Sequence, residues 1–237
     1  MIKAYYTGAN GAASNKSYLD VISNNMANIQ TAGFKRSKPE FSDLIYTNVR
    51  GAEGTNTELK SGSGSKVGKV DVIFSQGAPF RTGVSTDFAI TGDGFFAIQF
   101  EEENLFTRGG NFQIANIDDE NYLMYQGGYV LNNEEEPIIL EDADHINNVD
   151  IGVFIFDNNN DLQQAGNNLY RMSNEDGEYN ITETNETKIL QGYLEASNVE
   201  VSEEMVKLIQ IQRSFQLNSN LIQTADEIEQ VINSLRG

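Results

Sequence analysis

The 237-residue sequence contains no cysteine, a single histidine and less than half as many basic as acidic side chains. The absence of cysteine excludes disulfides, thiolate metal sites and cysteine nucleophiles, and it leaves the redox compartment undetermined. Catalysis by serine or threonine normally needs a partner base, and His145 is the only histidine. It lies beside Asp142 and Asp144, and we interpret it as a surface residue.

The shortage of basic residues gives the chain a formal net charge of -19. Such a surface repels phosphate backbones and anionic lipid headgroups, so we expect neither nucleic acid nor a membrane surface as a partner. The longest apolar run is Val153 to Phe156, whereas a membrane-spanning helix needs about 20 apolar residues. No cleavable apolar signal is visible at the N-terminus. We therefore predict a soluble chain without membrane insertion.

The first helical pattern runs from Ala12 to Ala32, a stretch without glycine or proline. Its apolar positions, among them Leu19, Ile22 and Met26, recur at spacings of three and four, which predicts an amphipathic helix. Gly33 follows directly, and a glycine there is typical of a left-handed residue that ends a helix.

The second helical pattern occupies the C-terminal end, from Ser202 to Leu235. Ser202 is a suitable helix cap, and Glu203 and Glu204 favour the positive end of the helix dipole. The apolar positions form two neighbouring seams instead of one. The first seam contains Leu208, Ile211, Phe215, Ile222 and Ile232, and the second contains Leu221, Ala225, Ile228, Ile232 and Leu235.

Between the two helices the hydrophobic period changes to two, as in Phe96 to Phe100, and glycine-rich turns separate the apolar runs. This pattern predicts an antiparallel β domain. The stretch from Asn48 to Lys69 is rich in Gly, Ser, Thr and Asn, and we expect an extended or flexible arm there. The predicted organisation is an N-terminal helix at 1–33, an arm and connection at 34–75, a β domain at 76–199 and a C-terminal helix at 200–237.

Two other functions have weak support in the sequence. Asp157, Asn159 and Asp161 have the spacing of a calcium loop, but Leu162 replaces the required glycine and Asn168 replaces the bidentate glutamate. A calcium-assisted extracellular binding module is therefore an alternative hypothesis, with a solvated turn as the simpler interpretation. An acid–base hydrolase rests only on carboxylate pairs, which 35 acidic residues produce by chance. We predict no enzyme activity, no cofactor and no metal.

The terminal helices carry the strongest functional information. Asn15, Asn24, Asn25 and Asn28 have modest helix propensity, so the first helix is marginal in isolation and needs a partner. A helix pair packed on the β domain is the simpler interpretation. The second helix, however, offers an extra apolar seam, which indicates neighbouring subunits. Helices that become ordered only when other copies bind would keep the monomer soluble until assembly.

The run from Ser23 to Tyr46, SNNMANIQTAGFKRSKPEFSDLIY, resembles the N-terminal signature of the flagellar rod and hook family of axial proteins. The C-terminal run from Gln191 through Glu195-Ala196-Ser197-Asn198-Val199 to Arg213 is similar to the second signature of that family, as is Phe215 with Asn218. Central fragments, including Asp87 to Ile90 and Gly92 to Phe96, resemble motifs of its β domain. Within the family, the length and the arm resemble a distal rod subunit.

The resemblance implies a mainly β fold with an antiparallel β domain and long amphipathic α-helices at both termini, which form a coiled-coil-like layer around an export channel. It implies a structural subunit of the flagellar basal-body rod, of the distal type, that self-assembles into a hollow axial filament and transmits torque. The expected partners are copies of itself, other rod and hook proteins and the flagellar export apparatus. The expected location is the basal body, outside the cytoplasmic membrane.

The expected assembly interface follows from the two helices and the two signatures. Asn24, Asn25 and Asn28 would lie on one helix flank and hydrogen-bond across subunits, and Gly33 and Phe34 would mark the end of the inner helix. The full set is Leu19, Ile22, Asn24, Asn25, Met26, Asn28, Ile29, Gly33, Phe34, Asn198, Met205, Leu208, Ile211, Gln212, Phe215, Leu221, Ile222, Ile228, Ile232 and Leu235.

Overall fold

The structure, a computed structural model, describes residues 2–48, 60–100, 103–140, 149–156, 158–173, 179–181 and 187–236. His145 with its neighbouring aspartates and Asp157 of the calcium hypothesis lie outside these residues. The fold is mainly β with one long helix at each end, which confirms the predicted class. The chain divides into two compact units. The helical unit comprises Met1–Ala27, Ser37–Val72 and Glu200–Gly237, and the β unit comprises Asn28–Arg36 and Ile73–Val199.

Helix α1 spans Ile2–Ala27. The prediction of a helix from Ala12 to Ala32 was therefore wrong at both ends: α1 begins before Gly8 and Gly11, and residues 28–33 form turns. At the C-terminal end, the amide of Thr31 donates to the carbonyl of Asn28 at 3.2 Å, a bond over three residues that tightens the chain. Gly33 does adopt the left-handed conformation, with φ of 69°, but it lies beyond the helix.

Helix α2 spans Val201–Arg236, so the prediction of a second helix was correct to within one residue at either end. Glu203 and Glu204 lie in its first turn, as expected. Ser202 lies within the helix, and the first turn closes through the amide of Glu204, which donates to the carbonyl of Glu200 at 3.1 Å.

Four strands belong to the helical unit: β1 (Ser37–Asp43), β2 (Thr47–Asn48), β3 (Lys60–Ser61) and β4 (Ser65–Val72). β1 pairs with β4 and β2 pairs with β3, both antiparallel. Of the two expectations for this arm, extended or flexible, the strands β3 and β4 agree with the extended one for residues 60–69. The residues at 49–59 lie outside the described residues. Backbone pairing does not require apolar side chains, which is why the composition concealed these strands.

Fourteen described strands belong to the β unit, and their eleven pairings with one another are all antiparallel. They are β5 (Pro79–Arg81), β6 (Phe88–Thr91), β7 (Phe95–Phe100), β8 (Glu103–Thr107), β9 (Gln113–Ile117), β10 (Glu120–Tyr125), β11 (Gly128–Val130), β12 (Ile139–Leu140), β13 (Val153–Phe156), β14 (Leu162–Gly166), β15 (Leu169–Met172), β16 (Tyr179–Ile181), β17 (Lys188–Gln191) and β18 (Tyr193–Glu195). A 3₁₀ turn, Asn159–Asp161, precedes β14.

A ten-stranded sheet organises the β unit, with the order β12-β10-β11-β7-β8-β15-β14. β13 also pairs with β7 and β16, and β9 pairs with β10. The β unit also contains two separate two-stranded sheets, β17 with β6 and β18 with β5. Alternate residues of these strands build one apolar core. Its buried members are Phe88, Ile90, Phe96, Ile98, Leu105, Phe112, Leu123, Tyr125, Val130, Ile138, Leu140, Ile151, Val153 and Leu169.

Candidate assembly surface

Helices α1 and α2 pack against each other in an antiparallel arrangement within the helical unit. The side-chain amide nitrogen of Asn15 lies 2.9 Å from the hydroxyl of Ser214. The side-chain amide nitrogen of Asn25 lies 3.4 Å from the carboxylate of Glu204. Ten residues forward along α1 therefore correspond to ten residues back along α2. These polar contacts fix the register of the pair, because a shift of one turn would leave buried polar groups without partners.

Two glycines bring the helices close together near the start of α1. A methyl group built on Gly8 would lie 2.9 Å from Leu221, and one built on Gly11 would lie 2.8 Å from Asn218. Real side chains do not approach to these distances without displacement of a neighbour, so glycine provides the space for α2. The predicted helix began after these glycines, at Ala12, whereas in the structure they lie within α1 and form part of the helix contact.

Asn25 connects α1 to the start of β1. It is 2% exposed; its amide nitrogen donates to the carbonyl of Ser37, and its amide oxygen accepts from the Ser37 amide, both at 2.9 Å. The side chain of Asn25 thus forms its described hydrogen bonds within the chain, and the expected bond across subunits stays a prediction. Asn28 lies after the end of α1, so it does not share a helix flank with Asn24 and Asn25.

Helix α2 has two differently used faces. The face toward α1 is formed by residues at alternating spacings of four and three, which share one side of a helix. These residues are Glu204, Leu208, Ile211, Phe215, Asn218, Ile222 and Ala225, of which all but Phe215 are buried or half-buried. A second set, which we call the outward face, is exposed and recurs at whole-turn spacings. It consists of Val206, Ile209, Leu217, Leu221, Ile228, Val231 and Leu235. Leu221 lies at the edge of this face, because its side chain also approaches Gly8 of α1.

The end of α2 extends past the start of α1. Gly8 lies opposite Leu221 and Ile222. Both helices rise about 1.5 Å per residue, so six residues back along α1 correspond to six residues forward along the antiparallel α2, and Ile2 is level with roughly residue 227. The turns from Ile228 to Arg236 therefore have no described α1 residue opposite them. Leu235 at this end is 82% exposed. A monomer thus presents apolar side chains that its own described residues do not cover.

The predicted interface residues fall into three groups in the structure. Met205, Gln212, Phe215, Leu221, Ile228, Ile232 and Leu235 are exposed on α2, together with Asn24 on α1. Leu208, Ile211 and Ile222 are half-buried on the α1-facing side of α2, Leu19 and Met26 are half-buried on α1, and Ile22 is fully buried. Asn28, Ile29, Gly33, Phe34 and Asn198 belong to the β unit. Sequence reasoning did not select Val206, Ile209, Leu217 and Val231, although whole-turn spacing with Leu221 and Ile228 could have identified them.

Gly33, Phe34 and Asn198 hold the chain segment that precedes β1. The Gly33 amide donates to the Glu195 carbonyl at 2.8 Å, and a side chain on Gly33 would collide with the backbone of Arg108. The Asn198 amide oxygen accepts from the Arg36 amide at 2.7 Å, and its nitrogen donates to the carbonyl of Ile73 at 2.7 Å. These residues therefore fix the backbone inside the β unit.

A buried group of charges lies beside this segment. Lys35, which is 0% exposed, pairs with Glu195 at 2.5 Å, and Arg108 pairs with the second oxygen of Glu195 at 3.4 Å. Burial lowers the pKa of Lys35 and of Arg108, while the Glu195 carboxylate acts in the opposite direction on both. The Arg108 guanidinium also lies over the ring of Phe95, with 5.2 Å from its central carbon to the ring centroid.

The negative charge of the chain is concentrated in one unit. The β unit contains 23 acidic and 6 basic residues, a net charge of -17, whereas the helical unit contains 12 acidic and 10 basic residues, a net charge of -2. The helical unit is therefore nearly neutral and apolar on α2. Surfaces of this kind can meet a second copy with little electrostatic repulsion.

Comparisons with known proteins agree at both ends of the chain and over its length. A profile described as flagella basal body rod protein matches residues 6–35, and one described as flagellar basal body rod FlgEFG protein C-terminal matches residues 190–235. The flagellar basal-body rod protein FlgG of Bacillus subtilis is 33% identical over 264 aligned positions that cover 100% of both chains. The chain belongs to the flagellar basal-body rod protein family.

Other members of the rod protein family show the same relationship. FlgG of Borreliella burgdorferi is 32% identical over 100% of this chain and 99% of its own. The flagellar hook protein FlgE of Treponema pallidum is 34% identical over 137 positions, which cover 54% of this chain and 30% of the hook protein. The resemblance to the rod and hook family is thus confirmed, and the relatives that match over the full chain are named FlgG.

Membership of the rod protein family bears on the other predictions. These relatives confirm that the protein is a structural component and that it belongs to the flagellar basal body. The relatives are not enzymes. The calcium-module alternative finds no support in these relatives, and no group of three metal-ligating side chains occurs among the described residues. Neither α1 nor α2 is long and apolar enough, within its described length, to cross a membrane.

Proposed function

We propose that the chain is a distal-type rod subunit that polymerises with copies of itself into a hollow axial filament of the basal body. The helical units form the coiled-coil-like inner layer, and the filament transmits torque between the rod and hook proteins at its ends. The relatives named as rod and hook proteins support these partners. Delivery by the flagellar export apparatus belongs to the same proposal.

The observation that carries this proposal is the outward face of α2. Its apolar side chains are exposed along the helix and continue through the final turns, where no described α1 residue lies opposite. Burying an apolar side chain contributes about 1.5–3 kcal/mol when it passes from full exposure to full burial. A second copy that covers this face would therefore gain several such contributions at once. The predicted interface residues on α2 that remain exposed are part of this surface.

The test replaces three outward side chains at the end of α2. In the full chain, the triple variant Ile228→Ser, Val231→Ser and Leu235→Ser removes apolar area where α1 offers no cover. We expect the protein concentration needed for polymerisation to rise at least ~10-fold, which corresponds to about 1.4 kcal/mol. Sedimentation and electron microscopy measure the polymer.

A matched control places three serines at exposed polar positions of the same helix: Asn220, Gln223 and Asn233. It has a similar effect on helix propensity but removes no apolar surface. Equal polymerisation of the two triple variants would contradict the proposed role of the outward face. Failure of the parent chain to polymerise under any condition, including inside isolated basal bodies, would contradict the function itself.

A further inference from the structure

The strands of the helical unit form a rigid extension whose own contacts hold it together. Beyond the pairing of β1 with β4, the amide of Leu44 donates to the carbonyl of Gly64 at 2.8 Å. The hydroxyl of Ser63 donates to the carbonyl of Ile45 at 2.9 Å. These bonds connect the chain that leaves β1 to the chain that enters β4. The segment around Ile45 is thus ordered backbone with a defined direction.

The same hairpin is fastened to α1 along most of the helix. The side chain of Asn10 donates to the carbonyl of Ser63 at 3.2 Å, and the hydroxyl of Ser14 donates to the carbonyl of Ser65 at 2.8 Å. The rings of Tyr18 and Phe41 pack edge to face, with 5.5 Å between their centroids. The hairpin is therefore attached to the helix pair through α1.

This hairpin displays large apolar side chains that it does not cover. We define the hairpin patch as Phe41, Ile45, Tyr46 and Val70, all of which are exposed. Ile45 is 84% exposed, which is close to the value for Leu235 at the free end of α2. Single exposed apolar residues are common on protein surfaces, whereas four on one hairpin, with Ile45 and Tyr46 adjacent, make the hairpin a candidate interaction site.

Charge decides which surface can cover the hairpin patch. The described hairpin residues, 37–48 and 60–72, contain four basic and three acidic side chains, whereas α2 contains five acidic and three basic side chains. The hairpin is therefore slightly positive and α2 slightly negative, which favours their contact. The β unit has a net charge of -17, and its described residues form strands and one 3₁₀ turn but no α-helix that could offer an apolar helical face.

We propose that the hairpin patch of one copy packs on the outward face of α2 of a second copy. This inference rests on the proposed function, because both surfaces belong to the unit through which copies would meet. It adds a specific pairing: β1–β4 of one molecule against α2 of the next. The contact then covers the two exposed apolar surfaces of the helical unit in one step.

Cross-linking tests the pairing directly, because the chain has no cysteine of its own. One full-length variant carries Ile45→Cys and another carries Leu217→Cys on the outward face. The two are mixed, polymerised and treated with a short bis-maleimide. We expect a cross-linked heterodimer in the polymer and none in dilute monomer. The control pair replaces Ile45→Cys by Val84→Cys, an exposed apolar position in the β unit, and should give no cross-link with position 217.

A second measurement uses polymerisation itself. The double variant Ile45→Ser and Tyr46→Ser should raise the concentration required for polymerisation at least ~10-fold, or about 1.4 kcal/mol. The matched double variant Phe80→Ser and Val84→Ser removes exposed apolar residues of the β unit and should polymerise as the parent chain does. Amide exchange of α1 and α2 in the monomer checks that the hairpin variant retains its fold.

The outcomes separate this inference from the proposed function. Parent-like polymerisation of the hairpin variant, or the absence of a cross-link between positions 45 and 217 in the polymer, would overturn the pairing. The proposed function would still stand if the triple serine variant at the end of α2 no longer polymerised. Absence of polymer for the parent chain would overturn both.

Discussion

At the scale of single residues, the β unit places two cations and one carboxylate in its interior. Lys35 and Arg108 share Glu195, and the Glu195 carboxylate also accepts a hydrogen bond from the Gly77 amide at 2.7 Å. Removing a carboxylate from such a group leaves buried positive charge without compensation. Glu195 is therefore the residue on which the group depends.

We predict that Glu195→Gln lowers the free energy of unfolding of the β unit by about 3–5 kcal/mol, the usual effect of breaking a buried ion pair. The comparison is Glu103→Gln, which breaks an exposed ion pair with Arg171 at 2.6 Å and should cost at most about 1 kcal/mol. Chemical denaturation of the full chain measures both. A loss no larger for Glu195→Gln than for Glu103→Gln would contradict the role of the buried group.

The sequence could not reveal this group, because more than seventy residues separate Lys35 from Arg108 and Arg108 from Glu195. A charged side chain looks like surface until its partners are known, and burial is a property of the tertiary fold. Gly33 was easier to recognise, since a glycine after a helical pattern suggests a left-handed residue. Its position beyond the helix, against the backbone of Arg108, depended on contacts that periodicity does not encode.

At the scale of elements, α1 and α2 meet through small and polar residues as much as through apolar ones. The glycines at positions 8 and 11 set the separation, while Asn15 and Asn25 set the register. Such a pair is specific but gains little from hydrophobic burial, so its stability depends on close fit. The coiled-coil-like layer of the proposed polymer would add the missing burial.

We predict that Gly11→Leu separates the helices, because the new side chain would occupy the space of Asn218. Amide exchange around Ser214 to Ile222 should become at least ~10-fold faster, equivalent to about 1.4 kcal/mol of lost local stability. The control is Ala13→Leu, an exposed position on the same helix, which should leave exchange unchanged. Equal exchange in both variants would show that the close approach of the helices does not depend on Gly11.

Much of the element order could be predicted, and the errors share a physical cause. The strand at Phe95–Phe100 and helix α2 matched because their side chains follow the period of the element. The start of α1 and the first residues of β4 did not, since Gly8, Gly11 and the Gly- and Ser-rich residues around Ser65 carry no such signal. There, close packing and backbone pairing determine the structure.

At the scale of the whole molecule, the uneven charge sets a condition for assembly. Copies that join through the nearly neutral helical units also bring together β units of net charge -17. Their repulsion acts over about 30 Å at 0.01 M salt and about 8 Å at 0.15 M. Assembly should therefore be favoured by salt.

We predict that polymerisation of the full chain requires less protein at 0.15 M than at 0.01 M salt. The triple variant Glu134→Gln, Glu135→Gln and Glu136→Gln, which changes charge on an exposed turn of the β unit, should depend less on salt. Light scattering over a salt series measures both chains. A parent chain whose polymerisation is the same at every salt concentration would show that repulsion between β units does not limit assembly.

The helical unit is built from both ends of the polypeptide, with α1 at the beginning and α2 in the last 36 residues before the final glycine. A chain that leaves a ribosome or a narrow conduit starting from its first residue cannot complete this unit until its last residues have emerged. The helical unit, through which copies would associate, is consequently completed last. In the proposed export, the order of the elements would therefore delay self-association until α2 has emerged.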